Sequence, residues 1–93
     1  DENTFNEIFD GVPSSSISSK KLAKGINIDF LLAKDTNFLK SMGEARRSLK
    51  ENSISVNKFK VSENTVVSIK DLINNKYLLL QRGRKNYYLV IVK

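Results

Sequence analysis

The sequence predicts a small single domain of the α+β class, with two packed short helices and β-hairpins that form a small, mostly antiparallel sheet. The length of 93 residues allows one such domain and not two. Segments with the apolar spacing of helices come first along the chain, and segments with the spacing of strands follow them. Helices and strands separated along the chain in this way are typical of α+β folds.

Residues 1–19 are predicted to be a linker segment from a preceding domain, and residues 20–93 the domain itself. In "TFNEIF", Phe5, Ile8 and Phe9 have helical spacing, which predicts a last helical turn before a Gly-Val-Pro break. The polar stretch "SSSISS" predicts a loop. The acidic start shows no signal peptide, and because the chain lacks an initiator Met we expect it to be a fragment.

Two helices are predicted next. The first runs from Ser19 to Lys24 and ends before Gly25, a residue type common just past a helix C-terminus. "NIDFLLAK" predicts the second, because Asn27 can cap it and Asp29 lies in its positively polarised first turn. The apolar face of this second helix comprises Ile28, Leu31 and Leu32.

A third helix is predicted from Ser41 and Glu44, which have the S-x-x-E spacing of a capping box. Successive residues turn by about 100°, and the buried stripe therefore comprises Met42, Ala45 and Leu49. The stripe beside it is cationic. We call it the basic edge, and it comprises Arg46, Arg47 and Lys50. Gly43 leaves this edge open to the close approach of another backbone.

"SISVNKFKV" alternates between apolar and polar residues and predicts a hairpin that turns at Asn57 and Lys58. Its apolar set comprises Ile54, Val56, Phe59 and Val61. Lys58 and Lys60 then project at the tip and on the outer face. "TVVSI" predicts a further strand, and "KDLINNK" predicts a turn of helix or a loop.

The tail "YLLLQRGRKNYYLVIVK" predicts a second hairpin over residues 77–92. We expect Arg82 opposite Tyr87, with these further pairs: Leu80 opposite Leu89, Leu78 opposite Ile91, and Leu79 with Val90 on the other face. Both faces are largely apolar, which places the hairpin inside a sheet or against helices. Its tip concentrates positive charge on Arg82, Arg84 and Lys85.

The composition excludes several kinds of functional site. Cys and His are absent, which excludes disulfides, the usual zinc sites and the commonest general base. No phosphate-binding loop of the GxxxxGK type is present. Residues 1–35 carry four Lys and six acids, a net charge of −2, whereas residues 36–93 carry twelve cations and four acids, a net charge of +8. Such an asymmetry indicates a polyanionic partner, with nucleic acid favoured over an anionic membrane.

The segment "SMGEARRSLKENSISVNKFKV" resembles the S-four RNA-binding domain family. The residues that match its pattern are Ser41, Glu44, Ala45, Arg46, Arg47, Leu49, Ile54, Val56, Asn57 and Val61. The resemblance implies two packed helices and a β-hairpin that form a concave basic surface, with the core motif at residues 27–61. This chain differs from the pattern at the hairpin turn, where Lys58 replaces a common Gly, and in the link at residues 51–53, which often holds Gly.

The flanks "FDGVP" and "LLQRGRKNYYLV" resemble the C-terminal region of bacterial-type tyrosyl-tRNA synthetases, and this resemblance covers nearly the whole chain. It implies a domain that holds tyrosine tRNA by the variable arm and anticodon stem, for aminoacylation by a separate catalytic domain. The parent enzyme would be a cytoplasmic, ATP-dependent ligase that uses Mg²⁺ and dimerises through its catalytic domain. The fragment itself is expected to be monomeric and non-catalytic, with no cofactor or metal and no DNA or membrane partner.

The residues expected to contact RNA are Ser41, Arg46, Arg47, Lys50, Asn57, Lys58, Lys60, Arg82, Arg84 and Lys85. Two roles are open for Tyr77, Tyr87 and Tyr88. They could stack on unpaired bases, but tyrosines in strands more often pack within the protein. One alternative is another S-four protein, such as a pseudouridine synthase, an RNA methyltransferase or a ribosome-rescue factor. A second is a protein-interaction module that uses the apolar C-terminal hairpin. Attachment to a membrane surface is disfavoured, since the basic helix has only three apolar residues to insert.

Overall fold

A five-stranded sheet with helices on one face organises the fold. The structure is a computed structural model that describes residues 12–93. The helical turn predicted at Phe5, Ile8 and Phe9 lies outside the described residues. The elements in chain order are β1 (Ser14–Ile17), α1 (Ser19–Ala23), β2 (Ile26–Asn27), α2 (Ile28–Phe30) with a π-helical continuation (Leu31–Asp35), α3 (Met42–Lys50), β3 (Ile54–Val56), β4 (Phe59–Lys60), β5 (Val66–Val67), a 3-10 helix (Ile69–Asp71), β6 (Tyr77–Arg82) and β7 (Asn86–Val92).

The main sheet has the strand order β1-β7-β6-β3-β4. β1 runs parallel to β7, and the other neighbouring pairs of this sheet are antiparallel. β2 and β5 form a separate antiparallel pair. The predicted α+β class with a mostly antiparallel sheet is therefore confirmed. The strand predicted in "TVVSI" is β5, although it pairs outside the main sheet, and "KDLINNK" contains the end of the 3-10 helix.

The core lies between one face of the main sheet and the helices. Leu78, Leu80 and Val90 point from β6 and β7 into this layer and are fully buried. Leu31 after α2 and Ala45 of α3 belong to the same cluster and are also fully buried. Burying a leucine side chain stabilises a fold by roughly 1.5–3 kcal/mol, so this layer fixes α3 firmly against the sheet.

The loop predicted over "SSSISS" is wrong, because this stretch contains β1. Ser14–Ile17 pairs in parallel with β7, with Ser14 opposite Leu89 and Ile17 opposite Val92. The backbone makes the pairing at both ends, where the Leu89 N–H donates to the Pro13 carbonyl and the Lys93 N–H to the Ile17 carbonyl. An edge strand that is held by backbone hydrogen bonds can form with few apolar side chains. The serine run therefore lacks the alternation of apolar residues by which a strand is predicted from sequence.

The C-terminal hairpin is confirmed, but its predicted register is wrong by one residue. Arg82 lies opposite Asn86, Leu80 opposite Tyr88 and Leu78 opposite Val90. The loop has three residues rather than four, and Gly83 begins it with a φ of 68°. Because side chains alternate between faces, this shift puts Tyr88 and Val90 on the helix-facing side and Leu89 on the other.

The first hairpin pairs as predicted, with Val56 opposite Phe59 across a turn at Asn57 and Lys58. Both turn residues have positive φ, 52° and 74°, as a two-residue hairpin turn requires. Phe59, a member of the predicted apolar set, is nevertheless exposed over 75% of its surface. It lies opposite the buried Val56 in β4, the two-residue edge strand of the sheet.

Candidate nucleic-acid interface

Helix α3 presents the basic edge as the sequence predicts. Ser41 caps it, with its Oγ accepting a hydrogen bond from the Glu44 N–H at 3.1 Å. Ala45, Ser48 and Leu49 are buried, and Met42 is half-buried. The basic edge, Arg46, Arg47 and Lys50, is exposed. The capping role of Ser41 is thus visible in the geometry, whereas its contact with RNA stays a prediction.

Arg46 is held at one flank of α3 by Asp29, a buried residue of α2. Its Nε donates to Asp29 Oδ2 at 3.2 Å, while 57% of its side chain remains exposed. The other carboxylate oxygen accepts 2.7 Å hydrogen bonds from the Asn27 amide and the Phe30 N–H. Asn27 therefore supports Asp29 instead of making the predicted side-chain cap. Burial raises the pKa of Asp29, but the hydrogen bonds from Asn27, Arg46 and Phe30 outweigh it and hold the pKa below its usual value of 3.8.

The opposite flank of α3 is fixed to the C-terminal hairpin. Arg82 Nη1 of β6 lies 2.6 Å from Glu44 Oε1. This hydrogen bond is the main reason that the pKa of Glu44 lies below its usual value of 4.5. Two carboxylates thus position two of the predicted RNA-binding arginines. Each arginine keeps guanidinium N–H groups beyond the one used in the ion pair.

Arg47 and Lys50 differ from these two arginines because their charges are uncompensated within the described residues. Both lie on the exposed side of α3, and within residues 12–93 neither side chain forms a hydrogen bond or an ion pair. Arg47 lies about 100° around the helix from Arg46, and Lys50 lies between them, as the 3.6-residue period requires. These two residues carry the free positive charge of the basic edge.

The first hairpin adds Lys58 and Lys60, both exposed. Lys60 Nζ donates to the Asn52 carbonyl at 2.8 Å, which places its charge just past the C-terminal end of α3. Lys58 Nζ lies 2.8 Å from the Tyr87 hydroxyl and 4.6 Å from the centre of its ring. Lys60 therefore lies at the junction of α3 and this hairpin, whereas the ammonium of Lys58 lies beside Tyr87 of β7. That the five cations form one RNA-binding cluster stays a prediction.

Asn57 fixes the hairpin to the sheet. Its backbone N–H donates to the Leu79 carbonyl, and its Oδ1 accepts from the Leu79 N–H, both at 2.8 Å. Its Nδ2 donates to the Asp71 carbonyl. The amide thus positions the turn that carries Lys58. A direct contact of Asn57 with RNA stays a prediction.

The tip of the second hairpin carries the remaining predicted residues. Arg84 and Lys85 are exposed in the three-residue loop, and neither has a side-chain partner within residues 12–93. The loop is anchored by the Gly83 N–H, which donates to the Ser53 carbonyl. Since Arg82 lies against Glu44, this tip is on the flank of α3 that is opposite Asp29. It forms a second group of cations, separate from the basic edge.

A cavity lies beside this tip, and no pattern in the sequence predicts it. It is lined by residues from three separated parts of the chain, among them Phe38, Arg82, Lys85 and Tyr88. In the described part of the chain, residues 12–13 and 37–39 meet the hairpin tip at this cavity, and no rule of sequence spacing relates these segments to residue 88. Of the three tyrosines, Tyr77 and Tyr88 are buried, while Tyr87 is half-buried.

Two further observations bear on the class of site. In residues 12–93, no group of three or more acidic side chains is arranged to hold a metal ion. No helix of the described segment is long and apolar enough to cross a membrane. The apolar side chains of the second hairpin are largely buried within the chain itself, so they offer little exposed apolar surface.

Comparison with known proteins identifies the relatives of this chain. The family model of the tyrosine–tRNA ligase SYY-like C-terminal domain matches residues 4–90. The chain is 54% identical over 93 residues to the tyrosine–tRNA ligase of Flavobacterium psychrophilum, covering all of this chain and 22% of that protein. It is 51% identical over 92 residues to that of Flavobacterium johnsoniae, covering 99% of this chain and 21% of that protein. It is 43% identical over 94 residues to that of Parabacteroides distasonis, covering all of this chain and 22% of that protein. The chain thus spans about a fifth of the length of these curated relatives.

Proposed function

Because this chain belongs to the tyrosine–tRNA ligase SYY-like C-terminal domain family, we propose that it binds tyrosine tRNA. Its basic edge and first hairpin contact the phosphate backbone of the variable arm and anticodon stem. A catalytic domain elsewhere in the parent protein then attaches tyrosine to the tRNA. The observation that carries this proposal is the pair of exposed cations on α3, Arg47 and Lys50, which have no ion-pair partner within residues 12–93 and lie beside the anchored Lys60.

Arginine suits this role because its planar guanidinium binds phosphate through two N–H groups at once. The ion pair of Arg46 uses Nε, which leaves both terminal amino groups for a phosphate. Contacts of this kind fix the register of the RNA and carry no sequence information directly. Preference for tyrosine tRNA then comes from the shape of the RNA, above all from its long variable arm.

The ligation chemistry is assigned to the remainder of the parent. ATP and Mg²⁺ are proposed to act there, because the chain carries no phosphate-binding loop of the GxxxxGK type. The parent is proposed to act in the cytoplasm as a homodimer joined through its catalytic domain. This chain contributes tRNA binding and remains monomeric when isolated.

Two tRNAs test the proposal directly. Fluorescence anisotropy is used to titrate the 93-residue chain with tyrosine tRNA and with a tRNA that has a short variable arm. We expect tighter binding of tyrosine tRNA, and loss of binding in the Arg47→Ala, Lys50→Ala double variant. Equal affinity for both tRNAs would contradict recognition of the variable arm. It would favour the alternative of another S-four protein that binds RNA without selecting tyrosine tRNA.

The control for this experiment changes the same charge elsewhere. Lys20 in α1 and Lys70 in the 3-10 helix are exposed, and neither side chain has a partner within the described residues. The Lys20→Ala, Lys70→Ala variant therefore lowers the net charge equally while it leaves the basic edge intact. Equal weakening by the two double variants would mean that net charge alone, and not the basic edge, attracts the RNA.

A further inference from the structure

The cavity beside the second hairpin tip has the size and lining of a small-molecule site. Its volume is about 490 Å³, within the ~300–1,000 Å³ typical of ligand pockets. Phe38 is half-buried and packs against the buried Tyr88, with ring centres 5.5 Å apart and ring planes inclined at 39°. Phe38 therefore supplies the aromatic surface of the lining, and surface of this kind supports stacking of a nucleobase.

Polar residues form another part of the lining. Asn37 and Asn86 belong to it, and both residues are exposed. Each amide offers two N–H donors and one carbonyl acceptor. The Tyr88 hydroxyl accepts a long hydrogen bond, 3.5 Å, from the Asn37 N–H and keeps its own proton to donate.

The charge of the cavity is positive. Lys85 has no side-chain partner within residues 12–93, and Arg82 is paired with Glu44 outside the cavity lining. Within residues 12–93, no carboxylate is among the lining residues. A second cavity of about 440 Å³ differs in this respect, because its lining includes Asp35, which pairs with Lys21.

We propose that this cavity binds one unstacked nucleotide of the bound RNA, with the base against Phe38 and the phosphate at Lys85. The proposal rests on the proposed function for the origin of the nucleotide and adds a site that the basic edge does not provide. Arg82 lines the cavity and holds Glu44 of α3. The nucleotide would thus be held on the flank of the helix opposite the Arg46–Asp29 pair.

Adenosine 5′-monophosphate is the first probe. In a titration of the ¹⁵N-labelled chain followed by NMR, we expect saturable shifts at Asn37, Phe38 and residues 85–88, with no shifts at Arg46 and Arg47. Ribose 5-phosphate, which lacks the base, should move these signals little. If the two compounds shift the same signals equally, the cavity is only an anion patch and the proposal is wrong.

The Phe38→Leu variant separates stacking from charge. A swap between apolar side chains of similar size usually costs less than about 1.5 kcal/mol of stability, so the variant should fold. Loss of the aromatic face should weaken binding of adenosine monophosphate at least about fivefold, the lower end of base–aromatic stacking. Unchanged binding by the folded variant would overturn the stacking role.

A second arm tests whether the nucleotide comes from RNA. The probes are an RNA stem–loop with one bulged nucleotide and the same stem fully paired. We expect the wild type to prefer the bulged RNA, and the Asn37→Ala, Lys85→Ala variant to lose that preference. The matched control is Asn64→Ala, Lys70→Ala, which makes the same chemical changes at exposed positions away from the cavity.

Equal affinity of the wild type for both RNAs would overturn the nucleotide site. This result is distinguishable from failure of the proposed function, because the basic edge is tested separately by the tRNA titration with Arg47 and Lys50 variants. Loss of the preference for bulged RNA in the control variant as well would also contradict the proposal. It would show that the preference depends on the net charge of the chain and not on the cavity.

Discussion

The Nε atom of Arg46 lies 3.2 Å from Oδ2 of Asp29, and this ion pair joins the basic edge of α3 to α2. Asp29 is 7% exposed, so its carboxylate depends on the partners that the protein supplies. Arg46 therefore has a structural role in addition to its proposed contact with phosphate. Arg47, the next residue, has no partner within residues 12–93. The two adjacent arginines are thus expected to respond differently to substitution.

Replacement of Arg46 should destabilise the chain more than replacement of Arg47. Arg46→Ala leaves a buried carboxylate with one hydrogen bond fewer, and we expect it to cost about 1–2 kcal/mol, given that Arg46 is largely exposed. Arg47→Ala should stay within about 0.5 kcal/mol of the wild type. Urea unfolding followed by circular dichroism measures both variants. Equal losses would show that the ion pair contributes nothing to the fold.

The stability that Asp29 contributes should depend on pH in the acid range. Its pKa in the folded chain lies below the usual value of 3.8, so the unfolded state takes up the proton first. The contribution is therefore fully present above that pH and is lost as pH falls through the folded-state pKa. The difference in unfolding free energy between the wild type and Asp29→Asn should be constant near neutral pH and shrink in acid. A pH-independent difference would contradict this assignment.

Phe59 and Val56 lie opposite each other in the first hairpin but should differ in their contribution to stability. Val56 is buried in the core cluster, and Val56→Ala should cost about 1.5–2.5 kcal/mol. Phe59 is 75% exposed, and Phe59→Ala should change the unfolding free energy by less than about 0.5 kcal/mol. Urea midpoints of the two variants give the comparison. A large loss at Phe59 would mean that this edge of the sheet is covered.

Lys58→Gly should weaken tRNA binding without lowering the free energy of unfolding. Lys58 has a φ of 74°, a conformation that costs a non-glycine residue about 1–2 kcal/mol. Glycine removes that strain, so the unfolding free energy should not fall even though the contact with Tyr87 is lost. Loss of one phosphate contact should weaken tRNA binding about five- to eightfold at 0.1 M salt.

The control for this prediction is Lys70→Ala, which removes a cation from an exposed position outside the proposed interface. It should leave tRNA affinity within the experimental error of the wild type. A marked loss of stability in Lys58→Gly would contradict the prediction. It would mean that the contact of Lys58 with Tyr87 stabilises the turn by more free energy than the backbone strain costs.

Local signals predicted α3 and the first hairpin well. The S-x-x-E spacing at Ser41 and Glu44 starts α3 at the predicted place, and helical periodicity correctly separates the basic edge from the buried stripe. The turn at Asn57 and Lys58 was predictable because a two-residue loop fixes the register of its strands. These features depend on residues that are close together in the chain.

Features that depend on distant partners were not predictable from local patterns. The serine run became β1 because β7 offers it a backbone to pair with. The register of β6 and β7 depended on the backbone conformation of Gly83, which makes the loop one residue shorter. Phe59 alternates like a core residue, but it lies in the edge strand of the sheet and is exposed. The ion pairs of Asp29 and Glu44 join elements many residues apart.

The most direct test of the central claim is the salt dependence of tRNA binding, measured for the wild type and for Arg47→Ala, Lys50→Ala. Five phosphate contacts predict a slope of log K against log salt of roughly −3.5 to −4.5 for the wild type. Removal of two contacts should make the slope of the variant shallower by about 1.4–1.8, whereas Lys20→Ala, Lys70→Ala should leave it unchanged. Equal slopes for the wild type and the basic-edge variant would contradict the claim that this edge contacts the phosphate backbone.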